Sequence, residues 1–191
     1  MSTKTEIANA ALKAMGEKRI DSLDQETKPA RSLKAVYNVA RRAALREHPW
    51  NFGSTETTLT KSATTSGTQW AYEHPVPSDF IRLVDVIGLG GRYKLKRVRG
   101  VGRVIACDVT PITIEYIADV TVEADFDPSF VAMFALKLAG MTATDITGSG
   151  ALADSIESRY ERQLRLARGV DAMENGQDEI EDGGGWNAAR Q

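Results

Sequence analysis

Leu45-Arg46-Glu47-His48-Pro49-Trp50-Asn51-Phe52-Gly53-Ser54-Thr55-Glu56-Thr57-Thr58-Leu59-Thr60 is where the chain changes texture. Upstream, Leu33, Val36, Tyr37, Ala40 and Ala44 recur at helical spacing, with Pro29 placed to open the helix. Pro49 ends it, because proline has no N–H and its ring clashes with the preceding turn. Downstream of Thr55 the pattern alternates and is rich in β-branched residues. Strands are expected over Thr57–Thr60, Gln69–Tyr72, Phe80–Ile87, Tyr93–Val98, Val104–Val109 and Ile112–Val120. Gly88, Gly90 and Gly91 read as a hairpin turn, with a second turn around Gly100–Gly102.

Further out, helix flanks the β-region on both sides. Thr3 and Glu6 have capping-box spacing, Ile7, Ala8, Ala11, Leu12 and Met15 form one stripe, and Gly16 suits a left-handed cap. Helix returns at Asp127, a good N-cap followed by Pro128, with Phe130, Phe134, Leu138 and Met141 roughly on one face. Ala135, Ala139 and Ala143 permit close helix packing. Gly148 ends this helix, and Leu152, Ile156, Tyr160, Leu164 and Ala167 mark a last one whose pattern fades after Gly169. The expectation is an α+β fold: a bundle of about four helices, two before and two after an inserted, mainly antiparallel β-domain, with a flexible C-terminal tail. The boundaries fall at 1–52, 53–124, 125–175 and 176–191.

Composition narrows the function. The 191 residues carry 26 acids against 24 Lys plus Arg, a net charge of -2, which argues against a chain held to DNA by overall charge. Cys107 is alone, which leaves no intrachain disulfide and no Cys-rich zinc site. The N-terminus has no signal-peptide core, and no stretch approaches the ~20 apolar residues of a membrane span. The reading is therefore a soluble protein of a reducing compartment. Gly88–Gly91 and Gly100–Gly102 lack the residues and the following helix of a phosphate loop, and read as turns. His48 and His74 each precede a proline and have no partner at catalytic or metal-ligand spacing. Asp119, Glu123, Asp125 and Asp127 read as a solvated acidic connection ending in the N-cap, rather than a glycosidase or metal site. No catalytic residue, cofactor or metal is assigned.

Two charged segments stand out as contact sites. Arg92, Lys94, Lys96, Arg97, Arg99 and Arg103 form a basic hairpin with no acid among them, and on a strand Arg92, Lys94 and Lys96 share a face. Asp178, Glu179, Glu181 and Asp182 precede Trp186 in a glycine-rich tail suited to docking on a partner. Residues 171–191 sum to -5, which leaves +3 on the rest of the chain.

Several fragments together resemble the tail tubular protein A family, the head-to-tail adaptors (connectors) of tailed bacteriophages. They are Ala11–Glu17 with Ile20–Leu23, then Tyr37, Arg41-Arg42 and Leu45–Phe52. Tyr72, Pro77–Phe80 and Leu83 follow, then Ile114–Tyr116, Asp119, Phe126–Pro128, Phe130 and Leu138-Ala139, so the resemblance spans residues 7–174. It implies a structural virion protein and not an enzyme. About twelve copies would form a homo-oligomeric ring below the portal protein, continuing the DNA channel and seating a tail or nozzle protein. The expected location is the head-tail junction of the virion, after synthesis in the host cytoplasm, with no membrane partner. Trp50 and Phe52 are expected to pack where bundle meets sheet. The alternative is a nucleic-acid-binding module acting through residues 92–103. A third reading, a cell-wall hydrolase using the Glu123–Asp127 carboxylates, lacks a visible carboxylate pair in an apolar pocket.

Overall fold

The computed structural model describes residues 2–63 and 69–174. Four helices enclose one core: α1 (Lys4–Met15), α2 (Lys28–Glu47), α3 (Pro128–Thr147) and α4 (Gly150–Glu174). Between α2 and α3 lie six strands, β1 (Ser54–Leu59), β2 (Tyr72–Pro75), β3 (Phe80–Val86), β4 (Lys94–Val98), β5 (Gly102–Cys107) and β6 (Ile112–Ala118). The architecture is the α+β fold expected, with two helices on each side of an antiparallel β insertion.

Local chemistry explains most helix ends. Thr3 and Glu6 form a complete capping box on α1, and Gly16 closes it at φ 77°. Thr27 caps α2. The Asp127 carboxylate accepts from the Ser129 and Phe130 backbone N–H groups at the start of α3. Helix α4 continues through Gly169, where the apolar pattern fades, and runs to Glu174. Its last turns are held by the Asp171 side chain, which is buried against the far end of α2.

Helix α3 is the hub, packing on α1, α2 and α4. Against the expectation from sequence, Pro128–Thr147 has the length and mean hydropathy, 1.3, of a membrane-spanning segment. Its Phe130, Met133, Phe134, Leu138 and Ala139 lie inside the bundle, and Ala135 and Ala143 are buried with them. A helix apolar on most sides is what a central core position requires.

The strands form two three-stranded sheets, ordered β1-β6-β3 and β2-β5-β4. The expected strand bounds shift by up to three residues. The larger correction concerns Gly88–Gly91. Gly88, Gly90 and Gly91 all have positive φ, as a tight turn requires, but β3 and β4 do not pair. The turn therefore carries the chain from one sheet to the other and is not a hairpin. The hairpin is β4–β5, closed at Gly100. Ile105 and Cys107 from one sheet meet Phe80, Val86, Ile112, Ile114 and Tyr116 from the other in a second core.

Candidate functional site

At the junction of bundle and β-region, aromatic packing and paired charges hold the two halves together. Trp50 is fully buried, donates its indole N–H to the Ala44 carbonyl at 3.0 Å, and meets the Phe130 ring edge-on. Phe52 contacts Phe126 and Phe130. Ile117, on β6, belongs to the same core, so these aromatics do sit where bundle meets sheet.

The acidic connection is not simply solvated. Asp119 accepts from Arg41 and from Arg42, each at 2.8 Å, and only Arg42 is exposed. Glu123 is largely buried and accepts from the Tyr37 hydroxyl at 3.4 Å. Burial, and then the Glu123 charge, push the Tyr37 phenol well above its ordinary range. Asp127 is the N-cap expected. Spacing gave no sign that Asp119 and Glu123 pair with α2, because their partners lie 78 and 86 residues away.

A second polar cluster joins the end of α2 to α3 and α4. Lys137 donates to Glu47 at 2.9 Å and to the Tyr160 hydroxyl at 3.0 Å, while Arg168 donates to the Glu47 carbonyl at 2.7 Å. Burial alone would raise the Glu47 pKa, but Lys137, Tyr160 and Arg168 outweigh it and hold the carboxyl below the usual range. Asp171 accepts from the Asn51 N–H at 3.0 Å and lies 3.1 Å from His48 Nε2. For His48 burial outweighs Asp171, so the imidazole stays below its ordinary pKa.

His74 does have a neighbour that sequence spacing did not reveal. Its Nδ1 lies 3.8 Å from Cys107 Sγ, across the β2–β5 ladder. Both side chains are fully buried, and the thiol donates to the Val109 carbonyl at 3.2 Å. A nucleophile needs an approach path as well as a base. This pair has none, and it packs as core. Among the described residues, no three His, Cys, Asp or Glu side chains come close enough to hold a metal ion.

The basic hairpin is divided rather than one-faced. Arg92 precedes β4, in the loop after Gly91, and so does not share the face of Lys94 and Lys96. Lys96 is tied to Glu73, 1% exposed on β2, at 2.6 Å. An acid thus reaches the run from a strand the local sequence does not show. Arg99 sits at the hairpin turn. Arg97 and Arg103 oppose each other on the other face of the sheet. Arg103 turns toward the junction, where it donates to the Phe80 carbonyl and lies over the Phe80 ring, 4.8 Å from its centroid. There it lines a recess of about 330 Å³ with Arg42, Arg46, Ser78, Asp79 and Asp119. Sequence reasoning missed Arg42 and Arg46 as members of one basic site, because the fold alone brings them beside Arg103. Asp178, Glu179, Glu181, Asp182 and Trp186 lie outside the described residues.

No protein-family model matches this chain, and no curated protein matches it.

Proposed function

We propose that this chain is a structural virion protein, a head-to-tail adaptor whose copies close a ring between portal and tail. The observation that carries this reading is the convergence of the fragments that resemble the adaptor family. Arg41-Arg42 meets Asp119; Trp50 and Phe52 meet Phe126 and Phe130; Asp127 caps the helix they pack on. Fragments more than 70 residues apart form one packed junction, which supports reading them as parts of a single folding unit.

Helix α4 also leaves an apolar face open. Leu166, Val170 and Met173 are 58%, 45% and 87% exposed at helical spacing, with Arg159 and Arg162 continuing the same face. A neighbouring copy in a ring would cover it. Closure makes each later contact intramolecular, so weak pairwise interfaces suffice. The exposed residues of the basic hairpin, Lys94, Arg97 and Arg99, then serve as contacts to neighbouring subunits, the portal or a tail protein. Native mass measurement of the chain alone and with portal protein tests the reading. A cyclic assembly of about twelve copies on the portal supports it; no association with the portal at any concentration overturns it.

A further inference from the structure

Each arginine around the junction recess is fixed by one hydrogen bond. Arg42 gives its Nε–H to Asp119 and Arg46 an amino group to the Ile81 carbonyl, both at 2.8 Å, and Arg103 an amino group to the Phe80 carbonyl. A guanidinium carries five N–H donors, so each arginine keeps others for a ligand. Their cost of ordering has already been met.

The positive charge here is in excess. Two acids line the recess: Asp119, shared by Arg41 and Arg42, and Asp79, which accepts from the Tyr116 hydroxyl; against them stand Arg41, Arg42, Arg46 and Arg103. Among the described residues no carboxylate pairs with Arg46, Arg82, Arg97 or Arg103. Planar, pre-fixed guanidinium forks suit carboxylates bound through paired N–H donors.

Such a ligand lies in the chain itself. Asp171 is pinned to His48 and Asn51, so the last turn of α4 leaves beside the end of α2, close in sequence to Arg46. From Glu174, extended chain at about 3.3 Å per residue reaches about 13 Å to Asp178 and about 26 Å to Asp182. A short tether gives the segment an effective concentration in the millimolar range. We propose that the recess of Arg42, Arg46 and Arg103 is a carboxylate-binding site that takes the acidic segment Asp178–Asp182 of the same chain. The contact needs neither a ring nor a portal, and so stands apart from the adaptor reading.

A nitroxide at Gly183→Cys of the full-length chain tests it, since buried Cys107 resists labelling. In low salt, the backbone amides of Ala43, Ile81 and Arg103 should lose intensity to the spin label. They should regain it in 1 M NaCl, where the screening length falls to about 3 Å. The combined Asp178→Asn, Glu179→Gln, Glu181→Gln and Asp182→Asn variant should also restore it, and these changes touch no core residue. Arg46→Gln with Arg103→Gln should do the same. Full intensity in low salt, or a loss that survives neutralisation of the acids, overturns the proposal. Loss seen only when labelled chains are mixed with isotopically enriched ones assigns the segment to a second copy and overturns it too.

Discussion

Asp119 accepts hydrogen bonds from two consecutive arginines, and Arg41 has almost no access to water to replace it. Removing one partner of a buried pair strands the other charge. Asp119→Ala should therefore destabilise the fold by about 3–5 kcal/mol, read as a lower urea midpoint with an unchanged slope. Arg42→Ala, at the exposed end of the same site, should cost far less. His74 makes the opposite kind of statement. Burial pushes its pKa down, against the smaller effect of the Ile105 carbonyl, so the folded state holds it neutral below the ordinary 6.5. The unfolded chain then binds the extra proton first, and stability is lost as pH falls from 6.5 toward the folded value. Denaturation at several pH values should show this loss, and His74→Phe should flatten it. His48 titrates in the same direction and contributes to the slope that remains.

At the scale of elements, most helices declare themselves, and the exception is instructive. The capping box at Thr3 and the Asp127-Pro128 start are local signals, since donor and acceptor lie within three residues. The end of α4 is not. A glycine in a helix costs about 1 kcal/mol relative to alanine, and past Gly169 the apolar pattern no longer marks where the helix ends. The helix continues because Asp171 caps nothing nearby but accepts from Asn51 and contacts His48, 120 and 123 residues away. Asp171→Ala should cost about 1–3 kcal/mol and speed amide exchange across residues 168–174, while α1 keeps its protection. Uniform acceleration over all four helices would show that the contact serves the whole bundle instead. The same distinction applies to strands. Alternation marks where they run, but not that β3 joins β6 while β4 joins β5.

Across the whole molecule, the net charge of -2 conceals separated charge and an open apolar face. If copies of this chain cover α4 in a ring, Leu166→Glu should abolish assembly on the portal while leaving thermal unfolding of the single chain unchanged. A drop in monomer stability would instead place Leu166 in the subunit's own core. The order of elements, the helix starts and the α+β class were determined by sequence alone. They depend on period, caps and prolines, which act over a few residues. Only the tertiary structure decided that Lys96 is neutralised by Glu73, that Arg103 leaves its hairpin to join Arg42 and Arg46, and that Asp119 and Asp171 fasten distant elements. Those outcomes depend on which surfaces meet once the chain has folded. No spacing along the chain encodes them.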